Sequence, residues 1–225
     1  MSQILTYNVE NNIILVRGYQ MKLANRLMKK YSYDRPIFIN DIEDGVLSYE
    51  NIRQTLSRLV KNGTLERFSQ GVYYFPKETE LGKTLLDARK VYERRYICSD
   101  DEVYGFYSGM VLKNQIGFTS QVPNVIEIVT NNESSRVREI MVGRQKVRLR
   151  NSTKAITRDN VAALQLLDFL NREDIDWRIP ENRSKLLSFI RQGKMSREEI
   201  MSSLEAYPAK VSRKLLESGA YDELT

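Results

Sequence analysis

The chain has 225 residues, 41% of them apolar and 28% charged, and carries a net charge of +6. This is the balance of an ordinary globular protein of one or two domains, two being the better reading. A single cysteine, Cys98, excludes an intrachain disulfide and a cysteine-built zinc site, and the absence of histidine excludes Ser-His and Cys-His nucleophile pairs and imidazole metal ligands.

No enzymatic activity, cofactor or metal is therefore expected. No apolar run approaches the roughly 20 residues of a membrane helix. The opening MSQILTYNVENNIILVRG has no basic start before its apolar residues, so it does not read as a signal peptide, and a cytoplasmic location is expected. The positive charge is localised. Residues 136–158 hold eight basic residues and one acidic residue, whereas residues 1–80 hold 11 and 9. A basic stretch of this kind attracts phosphates or an acidic partner, or forms a solvated strand face.

Residues 3–16 read as a short leading element. Met21, Ala24, Leu27 and Met28 recur at helical spacing and predict an amphipathic helix over 19–32. Pro36-Ile37-Phe38 reads as extended, and 39–44 as a short helix closed by Gly45. The clearest helix is 48–62. Ser48 suits its N-cap, Ile52, Leu56, Leu59 and Val60 form one apolar stripe, and Asn62-Gly63 ends it. TLERF and VYYFP then flank Ser69-Gln70-Gly71 as a hairpin. The stretch 76–82 reads as a linker, which places a domain boundary after residue 80.

The order helix, short strand, helix, helix, hairpin is that of a winged helix-turn-helix, whose second paired helix enters the major groove of double-stranded DNA. With Ile52–Val60 buried, the 48–62 helix exposes Gln54, Ser57, Arg58 and Lys61, flanked by Asn51 and Arg53, while Arg67 and Gln70 sit near the tip of the wing. Arg can bind guanine and Gln adenine bidentately, each worth roughly 1–3 kcal/mol of discrimination. Ser57 and Lys61 suit phosphates. The same residues could equally be the solvated side of any surface helix, and Glu50 opposes phosphate binding.

Beyond 80 the pattern is mixed. Residues 85–96 and 102–116 read as helices, and VIEIVT, 125–130, as a strand. Residues 137–150 predict a hairpin whose Gly143-Arg144 centre suits a type II′ turn. If Val142 faces Gln145, one face holds Arg138, Ile140, Val142, Val147 and Leu149. The other holds Val137, Glu139, Met141 and the basic stripe Lys146, Arg148, Arg150, with Glu139 opposite Arg148. Helices follow at 157–171, 181–192, 196–206 and 208–218. The expected class is α+β: a winged helix-turn-helix over 1–80, then a mixed α/β domain with a helical C-terminal tail over 81–225.

Two segments carry a resemblance. IRQTLSRLVKNGTLERFSQGVYYFP, 52–76, with LG at 81–82, and YSGMVLKNQIGFTSQVPNVIEIVTN, 107–131, together resemble the AbiEi family of antitoxins from type IV toxin–antitoxin systems of abortive infection. The tail LEAYPAKVSRKLLESGA, 204–220, is a weaker match, and the first 18 residues depart from the family pattern. The resemblance implies a winged-helix domain that binds and represses its own promoter. It also implies a second domain that opposes a nucleotidyltransferase-type toxin without a stable complex. The DNA role then falls on the exposed positions of 48–62 and the wing, and Lys146, Arg148 and Arg150 mark a partner or nucleic-acid surface. A homodimer is compatible with the modest charge of residues 1–80.

Other constellations read less specifically. Asp100-Asp101-Glu102 suits the first turn of the 102–116 helix better than a metal site. Glu127 with Lys146 or Lys154 lacks the acid cluster a metal nuclease needs. Tyr104, Phe106 and Tyr107 read as core rather than as a base-stacking platform, and Trp177 as packed between helices. Thr119, Ser120 and Gln121 form a turn whose side chains satisfy backbone groups; functional and structural roles for it stay open. A regulator whose second domain senses a ligand or partner, with no toxin, is the main alternative.

Overall fold

The computed structural model describes residues 18, 20–43, 45 and 47–224, so the leading element expected at 3–16 lies outside the described residues. The protein is α+β, and it divides into two compact units between Val91 and Tyr92. The sequence predicts this division near residue 80. The stretch 76–82 is not a plain linker, because Glu78–Thr79 (β4) pairs with Gly82–Lys83 (β5) in a small hairpin.

In the first unit, residues 20–31 form a helix (α1) that buries Leu23, Ala24, Leu27 and Tyr31. Met21, expected on the buried stripe, is exposed, because Leu23 and Tyr31 rotate the apolar face away from it. Strand β1 (Ile37–Phe38) pairs antiparallel with β3 (Val72–Tyr74), and the helix expected at 39–44 is a single 3-10 turn, Ile39–Asp41. Helix α2 (Tyr49–Lys61) starts at Ser48, whose side chain accepts from the Asn51 N–H. Its Ile52, Leu56 and Leu59 are buried, each contributing about 1.5–3 kcal/mol of hydrophobic stabilisation. Gly63 takes φ +79°, where side chains are disfavoured, and turns the chain so that the Leu65 N–H reaches the Leu59 carbonyl at 3.1 Å. Strand β2 (Glu66–Ser69) follows at once and completes a sheet of order β1-β3-β2. Lys83 braces this junction, donating to Gly63 O at 3.0 Å and to Glu66 Oε1 at 2.8 Å. Glu66 in turn holds the Lys83 ammonium above its ordinary pKa.

Helix α3 (Ala88–Tyr96) contains the point of division. The second unit is built on a four-stranded sheet of β6 (Gly105–Ser108), β7 (Val125–Thr130), β8 (Val137–Val142) and β9 (Gln145–Asn151), in the order β6-β7-β9-β8. The predicted hairpin register holds throughout, from Val142 opposite Gln145 to Val137 opposite Arg150, with Glu139 opposite Arg148. Gly143 has φ +59° and Arg144 a negative φ, as a type II′ turn requires. Val147 and Leu149 are fully buried beside Ile126 and Ile128 of the parallel neighbour β7.

The helix expected over 102–116 is instead a strand and a shorter helix, β6 followed by α4 (Gly109–Gln115). Gly105 explains the strand. A Cβ there would lie 1.9 Å from the Tyr96 carbonyl oxygen, so the backbones meet at a distance only glycine permits. Phe106 is buried against Val129, Ile156 and Leu164. The tail comprises α5 (Val161–Arg172), α6 (Pro180–Gly193), α7 (Arg197–Leu204) and α8 (Ala209–Glu217), closed by a 3-10 turn, Ala220–Glu223. Trp177 is buried in their core, edge-on to Phe118, which stacks on Phe169. Among the described residues no helix is long and apolar enough to cross a membrane.

Candidate nucleic-acid interface

Because α2 buries the Ile52–Leu56–Leu59 side, its polar side is presented outward, and the hairpin that follows stands beside it. Between the two lies an open cleft of about 770 Å³, lined by Arg53, Gln54, Ser57, Arg58 and Lys61 from α2 and by Arg67, Gln70 and Gly71 from the hairpin. Seven of the eight residues predicted to meet DNA converge there. Asn51 is not among the lining residues: it is exposed on α2, and its backbone is engaged by Ser48 and Thr55.

Four cations and one carboxylate line the cleft. Glu50 Oε1 accepts from Arg53 Nη2 at 3.0 Å, one turn apart on the exposed helix surface, and this contact raises the Arg53 pKa further. Arg67 Nε donates to the Ser69 carbonyl at 3.3 Å, which bends the arginine back along β2 near the strand irregularity between Arg67 and Ser69. Among the described residues the side chains of Gln54, Ser57, Arg58, Lys61 and Gln70 form no hydrogen bond or ion pair. Their donors face water and are open to a ligand. Tyr49 and Tyr73 also line the cleft. The sequence reading missed both, although Tyr49, one residue past the N-cap, stands in the helix turn that carries Arg53.

The basic stripe of the second unit is arranged differently. Lys146 Nζ lies 2.6 Å from Glu139 Oε2, and Arg148 donates to Glu139 Oε1 through Nε and Nη2 at 3.0 and 2.8 Å. Lys146 first, and Arg148 second, hold the Glu139 carboxyl below the ordinary glutamate range. Arg150 turns inward: its Nη2 bonds both carboxylate oxygens of Asp168 at 2.8 and 2.9 Å and Ser108 Oγ at 2.9 Å. Ser108 is fully buried and itself donates to Asp168. Arg172 reaches Glu127 Oε2 at 2.9 Å. All three residues of the stripe are thus matched by carboxylates, Lys146 and Arg148 by Glu139 of the same hairpin and Arg150 by Asp168, which lies on α5. An open depression of about 580 Å³ is bounded by Glu127, Val137, Glu139, Arg148, Arg150 and Arg172.

The remaining sequence candidates make contacts within the fold. Asp100-Asp101-Glu102 does not start a helix, since α4 begins at Gly109; Asp100 pairs with Arg94 at 3.4 Å. Among the described residues no three acidic or cysteine side chains gather as a metal site. Tyr107 donates to Glu93 Oε1 at 2.6 Å and meets Tyr92 edge-on, so burial raises its phenol pKa. Thr119 Oγ1 accepts from the Gln121 N–H at 3.2 Å, and Asn114 donates to the Gln121 carbonyl, as expected of a self-satisfying turn.

A search of curated proteins finds no match to the chain. The profile of a family described as a family of unknown function, DUF6088, matches residues 24–194, spanning the cleft, the sheet and the first two tail helices. That match covers well over half of the sequence, and the chain belongs to the DUF6088 family.

Proposed function

We propose that the chain binds double-stranded DNA through its first unit, with α2 as the recognition helix and the β2–β3 hairpin as the wing of a winged helix-turn-helix. The observation that carries this reading is the convergence of seven polar residues from both elements on one open cleft, five of them with unengaged side chains. The cleft offers a phosphodiester backbone hydrogen-bond donors from both helix and wing. Gln54 and Arg58 have the donor sets that read adenine and guanine edges, and Ser57, Lys61 and Gln70 those that hold phosphates. No catalytic role is assigned to any residue.

The biological role we infer is that of an antitoxin that represses its own operon. It rests on the resemblance of 52–76 and 107–131 to the AbiEi family. A second reading, a regulator whose second unit senses a ligand or partner without any toxin, is favoured by the open depression beside Arg148 and Arg172.

The DNA reading is tested by fluorescence anisotropy on the chain's own upstream region and on a shuffled duplex, across salt concentrations. Preference for the upstream duplex is expected, and Arg58→Ala and Lys61→Ala should each weaken binding. Unchanged affinity in both variants sinks the assigned face. The role is tested by growth: arrest by the neighbouring reading frame, relieved by this chain, supports the antitoxin, and a harmless neighbour supports the plain regulator.

A further inference from the structure

Strand β8 is an edge of the second unit's sheet: among the described residues it is bonded only to β9. In a two-residue hairpin the residues flanking the turn exchange both backbone bonds, and bonded and non-bonded pairs then alternate. Val142 is bonded to Gln145 in this scheme, so Ile140 and Arg138 also face β9. The N–H and C=O groups of Val137, Glu139 and Met141 point the other way, away from the sheet.

Edges of this kind are usually blunted by proline, lysine or a bulge. Strand β8, VREIMV, has no proline or lysine, and its register with β9 runs without a shift; of its two charged residues, Arg138 lies on the opposite face 3.8 Å from Glu133, and Glu139 is paired with Lys146 and Arg148. Val137 and Met141 are 52% and 62% exposed, and both lie on the face that carries Glu139. We propose that β8 pairs antiparallel with β8 of a second copy of this chain, about a two-fold axis through Glu139.

That register is the self-complementary one. It joins the three outward residues of each strand, and it sets Val137 of each copy against Met141 of the other, covering both exposed apolar side chains twice over. Antiparallel partners point to the same face, so only a centre on an outward residue satisfies the backbone and the side chains together. The obstacle would be Glu139 facing its own copy. Each carboxylate already has Lys146 at 2.6 Å and Arg148 at 2.8 Å, which removes most of the repulsion. The product is a continuous eight-stranded sheet.

Light scattering on the full chain, across a dilution series, should show a reversible rise from one to two copies. Val137→Lys with Met141→Lys should raise the dissociation constant about tenfold or more while leaving the thermal melt intact. In a Cys98→Ser background, Val137→Cys with Met141→Cys should oxidise to a covalent dimer, whereas either cysteine alone should not. This arm decides the matter if the lysine variant fails to fold. A chain that stays monomeric at every concentration and forms no cross-link overturns the proposal. So does a dimer that the lysine pair leaves undiminished, or single cysteines that cross-link as readily as the pair.

Discussion

Gly109 stands where any side chain would strike Glu127: a Cβ there would lie 2.3 Å from Glu127 Oε1, and the residue has φ +57°. The Glu127 carboxylate thus occupies the space at the start of α4, whose Ser108 N-cap makes no side-chain capping bond because its hydroxyl serves Asp168. Gly109→Ala should destabilise the protein by about 1–3 kcal/mol from backbone strain, with the collision added. Chemical denaturation measures it. In a Glu127→Ala background, which itself loses the Arg172 pair, Gly109→Ala should cost less by the collision part only, since the positive φ remains.

The three cations of the basic stripe should separate on substitution. Arg150→Ala leaves Asp168 buried without its charge partner, and breaking such a pair costs about 3–5 kcal/mol. Replacing both residues by apolar ones of similar size should recover much of that loss. Lys146→Ala, at an exposed pair, should leave the denaturation midpoint near that of the parent. Equal losses at the two positions would show that the inward turn of Arg150 is not what matters.

Glu50 should act as a brake on the cleft. It holds Arg53 at 3.0 Å and is the one carboxylate among the lining residues. Glu50→Gln should tighten DNA binding at low salt and steepen the dependence of log affinity on log salt by about one counterion. Anisotropy titrations at several salt concentrations provide the slope. A flatter slope in the variant would mean that Arg53 does not turn to phosphate.

Glu139 makes a pH prediction. Its carboxyl is held below the ordinary glutamate range, by Lys146 first and by Arg148 second. A group with a depressed folded pKa lends stability above the unfolded pKa and loses it as pH falls through the folded one. The hairpin contacts should therefore persist below the pH at which free glutamate protonates. Side-chain carboxyl NMR should place the Glu139 midpoint low, and Lys146→Met should move it upward.

Much of this was legible along the chain, for local reasons. The 137–150 register follows from the alternation of Lys146, Val147, Arg148, Leu149 and Arg150 on the second arm and from a glycine at the first turn position. The polar face of α2 follows from its apolar stripe, and the hairpin is adjacent in sequence, so the cleft's components could be listed before the cleft was seen. What alternation could not reveal was long-range pairing. Asp168 lies 18 residues from Arg150, on α5, and Ser108 lies 42 away, so the stripe reads as exposed charge when Arg150 is in fact half-buried structure. Strand β6 was hidden differently. Four residues give too short a pattern against the helical spacing around them, and its strongest cue, Gly105 against the Tyr96 carbonyl, depends on a contact that sequence spacing does not display.

The division of labour within α2 has an evolutionary consequence. Ile52, Leu56 and Leu59 hold the helix in place, while Gln54, Ser57, Arg58 and Lys61 hold nothing. Substitutions at the second set leave folding untouched, and substitutions at the first leave the outer lettering intact. If the cleft binds DNA as proposed, descendants of this chain can therefore drift there one position at a time, each intermediate remaining folded, and diverge in the sequence they bind while sharing one unchanged core.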